Sequence, residues 1–352
     1  MSGDSPRVAV TGVGSNIGQG VVKALRLAYP EAYVVGTDAK PRSVGFFACD
    51  AGEVLPHSRL PEYGERVREL LERHAIDLLL IASHAETLPL SRLRGELEEG
   101  TGAKVVVSST ATVEAAIDKY RTVEVLAAAG CNAPCSTVSR ERAELEAFAA
   151  AVGFPLIVKP RGGQGSRGVS LVDDLPSLVA AWQAEPEALV QEHVGDLGQE
   201  YTAAAWTDRD GELKGVVTMR RELDAGTTVL AEFGAFPRVR REVERVVAAL
   251  EPRGPINVQL RLAERGAVTF EVNPRFSGTT ALRALAGWND VAATVDSFHY
   301  GRPAELPAVE SGSVLRYYDE VFVGADELRT VEESGRWSSA AGPRRSLALF
   351  DR

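Results

Sequence analysis

Four short segments of the 352-residue sequence carry residue types suited to phosphates and hard metal ions. The run FPLIVKP (154–160) sets Lys159 at the end of an apolar strand, directly before Gly162, Gly163, Gly165 and Gly168. A lysine leaving a strand beside a flexible glycine loop can hold phosphate oxygens while the loop closes over them. The spacing is not that of a P-loop, because no G-x-x-x-x-G-K-[ST] is present. The run EVNPR (271–275) ends a second strand with Glu271 and Asn273 on one face, since alternate strand residues point the same way. Gln259, on the strand before, can join them across a hairpin. An oxygen-only set of this kind suits Mg²⁺, and Arg275 can neutralise the charge that develops on a transferring phosphoryl group. The run QEHV (191–194), followed by Glu200, reads as a hinge where backbone groups meet an adenine edge and a carboxylate takes ribose hydroxyls. Asp118-Lys119, opening a helical stretch, is the fourth segment.

The elements that must position these residues fall into two kinds. Up to about residue 110, apolar strands, the first running into a glycine turn over 7–14 and the others near 32–36, 77–83 and 104–107, alternate with helical patterns at 17–28 and 63–74, which argues a parallel sheet. Gly12, Gly14 and Gly18 follow the first strand and Asp38 ends the second. That spacing is G-x-G-x-x-x-G, a weak match to a dinucleotide fingerprint, and the turn reads first as a close strand–helix junction. Binding of NAD(P), or a part in holding some other substrate, are its alternatives. Beyond 110 the pattern changes. A helix is expected over 111–129, then strand pairs at 201–207 with 213–219, turning at Asp208 to Gly211, and 257–262 with 268–272, turning at Glu264 to Gly266. One strand is expected over 313–323 in the last fifty residues. There is no internal repeat or low-complexity segment.

Composition narrows the function classes. The chain is 45% hydrophobic and 25% charged, with a net charge of −10 and no Lys/Arg cluster, a poor balance for binding nucleic acid. No apolar run approaches a membrane span, and the N-terminus reads without a signal peptide. Cys49, Cys131 and Cys135 are too few and scattered for a disulfide framework or zinc site; Cys131 and Cys135 read as structural. A cytoplasmic, reducing setting is expected. Lysine occurs at only six positions, 23, 40, 104, 119, 159 and 214, so a lysine beside a motif stands out against an arginine-rich background.

In this order the segments resemble the ATP-grasp superfamily, most closely single-module proteins similar to half of a carbamoyl-phosphate synthase large chain. The resemblance covers about residues 7–302. It implies an α/β protein: a Rossmann-like, parallel-sheet pre-ATP-grasp domain (1–110), a two-lobed α+β ATP-grasp domain (111–302, lobes 111–190 and 191–302), and a C-terminal segment (303–352) on the core. It further implies that Lys119 and Lys159 bind ATP phosphates under the loop of Gly163, Gly165, Ser166 and Arg167. Glu192 and Val194 would flank adenine and Glu200 the ribose. Gln259, Glu271 and Asn273 would hold Mg²⁺, or Mn²⁺ in its place, beside Arg275. Gln259 stands where members often have a second carboxylate, which bears on a second ion. The acceptor pocket carries no motif; Arg220, Arg221 and 224–228 are its candidates, with His84 and Glu86 as further residues near the cleft and His193 as a hinge side chain.

The activity implied is an ADP-forming ligase that joins a small carboxylate, an amino acid for example, to an amine through an acyl phosphate. Related proteins point to a homodimer, and neither nucleic acid nor membrane is an expected partner. The alternatives are a kinase-like phosphotransferase and a non-catalytic nucleotide-binding protein. An NAD-dependent dehydrogenase would rest on the first glycine turn alone.

Overall fold

The computed structural model describes residues 5–163, 168–195, 199–304 and 306–339, and the backbone of 345–347. Its first sheet contains β1 (Arg7–Val10), β2 (Tyr33–Asp38), β3 (Ala51–Val54), β4 (Leu78–Leu80) and β5 (Lys104–Val106), all parallel, in the order β3-β2-β1-β4-β5. These strands are almost wholly apolar because both faces are covered. Val8, Val10, Leu78 and Leu80 pack toward α1 (Asn16–Ala28), while Ala9, Leu79 and Val105 pack toward α2 (Tyr63–Arg73) and α3 (His84–Thr101). Ser15 caps α1, its hydroxyl accepting from the Gly18 amide.

The expected helix over 111–129 is two helices, α4 (Thr110–Ile117) and α5 (Lys119–Ala128). Asp118 separates them. Its carboxylate accepts from the amides of Tyr120 and Arg121, capping α5, and pairs with Arg161. The break leaves Lys119 at the start of a helix, directed at the glycine loop.

A second, four-stranded antiparallel sheet is ordered β6-β9-β7-β8, from β6 (Ser136–Thr137), β7 (Leu156–Pro160), β8 (Ser170–Val172) and β9 (Ala188–Glu192). Leu156, Val158 and Val190 bury one face against α6 (Arg142–Val152) and α7 (Leu175–Ala184). The other face, with Ile157, Lys159 and Gln191, lines a cleft.

The third sheet is antiparallel throughout, in the order β14-β13-β10-β11-β12-β15. Its strands are β10 (Glu200–Thr207), β11 (Leu213–Asp224), β12 (Thr227–Phe233), β13 (Gly254–Ala263), β14 (Gly266–Asn273) and β15 (Gly312–Leu315). Tyr201, Ala203, Val216, Val258 and Leu260 face α8 (Pro237–Leu250). On the opposite face Ala204, Trp206, Val217 and Met219 merge into the core of the first sheet through Phe276 and Trp288. The single strand expected over 313–323 is two strands, β15 and β16 (Glu320–Phe322), with 316–319 as the connection between them. β16 pairs with β18 (Arg345–Leu347), and β17 (Arg336–Ser338) adds antiparallel to the edge of β3.

Between the first and third sheets lies a buried ion pair. Arg283, on α9 (Thr280–Leu285), meets Asp290 at 2.5 Å with both side chains at most 1% exposed, and it also donates to Ser277 and Thr279. Removing one partner strands the other charge out of water, so Arg283→Met is expected to lose about 3–5 kcal/mol of stability. Urea titration of the variant against the double change Arg283→Met/Asp290→Leu checks this, with the double variant recovering part of the loss.

Candidate active site

The register of the third sheet builds the site. Directly paired residues of antiparallel strands share a face, and three successive rows of β10, β11, β13 and β14 project toward the cleft. The first holds Glu200, Arg221 and Arg261, the second Thr202, Gln259 and Glu271, and the third Asn257 and Asn273. Gln259 pairs with Glu271 across the β13–β14 hairpin, and its Nε2 donates to Oε1 of Glu271 at 3.3 Å. Asn273 Nδ2 donates to the same oxygen at 2.9 Å. Arg275, buried just past β14, donates to Asn273 Oδ1 at 3.0 Å and to the Phe276 carbonyl at 2.6 Å. Burial draws its guanidinium down to about 10, against the pull of Glu271.

Lys159 reaches the same space from the second sheet. Its buried Nζ donates to Gln191 Oε1 at 2.8 Å, and Gln191 Nε2 in turn donates to Ser136 Oγ at 2.9 Å. Burial lowers this lysine to about 8, with Glu271 opposing the shift. Lys119 donates to the carbonyls of Gly162 and Gly163 at 3.1 and 2.9 Å, so it pins the start of the glycine loop; burial lowers its pKa as well. Gly165, Ser166 and Arg167 lie outside the described residues.

Two cavities meet at Glu271. The first, about 280 Å³, has an apolar floor of Ile157, Val169, Val194, Leu223 and Phe270 and a polar end of Lys119, Lys159 and Glu271. The hinge residues lie along it. Glu192 carries a two-point ion pair to Arg265 at 2.6 and 2.7 Å. Glu200 is held by Arg221 and by Arg261, the latter at 2.9 Å. Burial raises the Glu200 carboxyl, but the two guanidinium groups outweigh it and leave it below the usual carboxylate range. Of these three arginines, Arg261 and Arg265 were not expected from sequence, although Arg261 lies two residues beyond Gln259 and so shares its face.

The second cavity, about 490 Å³, opens between the third sheet and the C-terminal edge of the first. Hydroxyl and amide side chains dominate it, among them Ser15, Asn16, Thr202, Asn257, Ser277 and Thr279. Arg221 and 225–228 line it, and Arg221 borders both cavities while donating to Gln259 Oε1 at 2.8 Å. Arg220 does not belong to this cluster. Strand alternation turns it to the other face of β11, where it pairs with Glu232. Glu86 is also displaced from the cleft wall, accepting from the Tyr63 hydroxyl at 2.7 Å behind the first sheet, whereas His84 lines the cavity.

The glycine turn borders the second cavity but does not offer a phosphate cradle. The Gly14 amide donates to Asp38, Val13 to the Thr37 carbonyl, Ser15 to the Gly12 carbonyl and Gly18 to the Ser15 hydroxyl. A Cβ on Gly14 would stand 2.4 Å from Ser43 Oγ, so a side chain does not fit at this close turn. The reading as a close strand–helix junction fits this geometry.

As a metal site the cluster suits one hard cation. Among the described residues no three His, Cys, Asp or Glu side chains come together. The amide oxygens of Gln259 and Asn273 accept from Arg221 and Arg275. Glu271 supplies the single carboxylate, which is enough for a Mg²⁺ that draws its other ligands from phosphates and water.

Comparison with known proteins gives this arrangement its context. The family model described as an ATP-grasp domain matches residues 116–279. The carbamoyl phosphate synthase large chain of Deinococcus radiodurans is 27% identical over 94% of this chain and 35% of its own length. The D-alanine–D-alanine ligase of Ectopseudomonas mendocina is 32% identical over 41% of this chain and 46% of its own. The chain thus spans less than half the length of these curated relatives. Among solved structures, the ADP complex of N5-carboxyaminoimidazole synthetase from Staphylococcus aureus superposes with a TM-score of 0.71, covering 94% of this chain and 85% of that one at 13% identity, a likeness of fold. The matched residues span the second sheet and most of the third, and over them the chain is similar to ATP-grasp domains.

Proposed function

We propose that the protein is an ADP-forming ligase joining a small-molecule carboxylate to an amine at the expense of ATP. The observation that carries this reading is the shared wall of the two cavities: Glu271, Gln259 and Arg221 border both. An apolar-floored cleft ending in two lysines fits a nucleotide with its phosphates toward Lys119 and Lys159. The polar cavity beyond fits the molecules that meet the γ-phosphate. A substrate carboxylate oxygen attacks that phosphorus and ADP leaves; the amine nitrogen then attacks the acyl carbon and phosphate leaves. No side-chain nucleophile is required, so catalysis consists of positioning and charge stabilisation. Glu271, with Asn273 and Gln259 about it, would hold a Mg²⁺ that neutralises phosphate charge when bound. Lys159 and Arg275 hold the phosphoryl oxygens, and the buried setting keeps their charges effective.

On this reading the domain 1–110 presents the acceptor side and 111–302 the nucleotide and metal side, and β15 and β17 of the segment 303–352 brace both. A cytoplasmic setting goes with it, supported by three cysteines that are all free thiols and by the lack, among the described residues, of a helix long and apolar enough to cross a membrane. A homodimer also belongs to the proposal, supported by exposed Leu285 and Leu315 on the neighbouring α9 and β15.

The test is interception. Enzyme, Mg·ATP, hydroxylamine and a panel of amino acids and other small acids should yield a hydroxamate and ADP with the right acid. AMP and pyrophosphate in place of ADP would show adenylation instead, and ADP with a phosphorylated hydroxyl product would favour the kinase-like alternative.

A further inference from the structure

The second cavity sits where the strand order of the first sheet reverses. β1 has β2 on one side and β4 on the other, and connections leaving such neighbours in opposite directions open a crevice beyond their C-terminal ends. Gly12, after β1, lies against Ser83, after β4; a Cβ on Gly12 would stand 3.0 Å from that of Ser83. This close approach brings His84, the first residue of α3, to the wall of the cavity that also holds Glu271, Asn273 and Arg275. His84 lines a further opening on the side of Asp118, Arg161 and Gly163, so it stands between the glycine loop and the polar cavity. Its ring makes no hydrogen bond with the described residues.

The second half of the proposed reaction needs something that His84 can supply. At neutral pH an aliphatic amine arrives as an ammonium, and an ammonium cannot attack. The other ionisable groups facing this space are poorly suited to take its proton. Arg161, Arg221, Arg275 and Lys119 are cations, Glu271 belongs to the metal cluster, Asp118 is paired with Arg161, Glu187 lines the opening beside Arg161 and not the polar cavity, and Asp38 accepts from the amides of Gly14 and Lys40. We propose that His84 is the base that takes the proton from the attacking amine, an inference that rests on the ligase reading above. One N–H bond of the ammonium breaks and its proton passes to an imidazole nitrogen; the lone pair so freed forms the C–N bond, and phosphate leaves with the electrons of the acyl C–O bond, taking the second proton that the nitrogen sheds as it becomes an amide.

The electrostatics fit the order of events. Burial, and after it the Arg275 charge, hold the imidazole at about 4 in the empty protein, so it is neutral and able to accept. Phosphate and carboxylate oxygens beside Arg275 supply negative charge, which favours the protonated ring. The imidazole therefore becomes the stronger base once ATP and the acid are in place.

Hydroxylamine separates this role from a structural one, because at neutral pH it is largely unprotonated and needs no base. With an acid that gives hydroxamate, wild type and His84→Gln are assayed side by side with hydroxylamine and with ammonium chloride or an amino acid as the amine. The ratio of amide to hydroxamate is expected to fall about 10²-fold in the variant, the low end of general-base contributions. Raising the pH toward the amine pKa should recover much of that ratio. Equal falls in both products, with a lowered melting temperature, would show a structural residue and overturn the inference, and so would an unchanged ratio. A wild type that makes hydroxamate but no amide from any amine offered also overturns it. No hydroxamate with any acid would instead overturn the ligase reading itself.

Discussion

Glu271→Gln is expected to lower Mg·ATP-dependent turnover by about 10³-fold, equivalent to about 4 kcal/mol of charge stabilisation removed from the transition state. Glu271 is the sole carboxylate of its cluster, and both neighbouring amide oxygens already accept from arginines, so no nearby group can take over its charge. The substitution keeps the side chain's shape and leaves oxygen available to Gln259 and Asn273. The test pairs initial rates with melting temperatures at increasing Mg·ATP. The variant should lose most of the stabilisation that Mg·ATP gives the wild type, since only a ligand of the native state shifts unfolding. NADH should stabilise neither protein. Full activity in the variant would place the metal elsewhere.

Arg275→Ala is expected to slow acyl phosphate formation by about 10²–10³-fold, the scale for losing one preorganised group aimed at developing charge. Its guanidinium is buried and oriented by Asn273 and the Phe276 carbonyl, so it stands in place before the substrate arrives. The fall should appear in kcat, with KM for ATP changed far less, because the nucleotide cleft does not include Arg275. Arg275→Lys, which keeps a cation but loses the two-point fixation, should lie between the two. A KM effect alone would assign the arginine to ground-state binding.

The nucleotide side of this site was legible in the sequence because its residues sit on regular strands. Alternation predicts that Glu271 and Asn273 share a face, and hairpin pairing brings Gln259 opposite Glu271. The same rule, carried two residues further, would have found Arg261 and Asn257. It also separates Arg221 from Arg220, adjacent in sequence and on opposite faces of β11. The acceptor side was harder to read. It is assembled from the ends of β1, β2 and β4 and from 277–279, segments far apart in the chain that share no periodicity. The helix break at Asp118 was hidden for another reason: apolar spacing continues across it, and the sign of a new helix is the aspartate alone, whose carboxylate caps the amides of Tyr120 and Arg121.

Two of the C-terminal strands bear on how this protein avoids sticking to itself. β15 covers the free side of β12 and β17 covers the free side of β3, so one stretch of chain closes an edge on each of the two large sheets. An uncovered edge offers a row of unpaired amides and carbonyls to any extended strand. Ending the chain at residue 302 would open both at once, on strands that carry the apolar residues Ala51 and Val54 and Val229, Leu230 and Phe233. Such a shortened protein should form intermolecular β-structure, visible as light scattering and thioflavin binding on storage, even where its nucleotide cleft is intact.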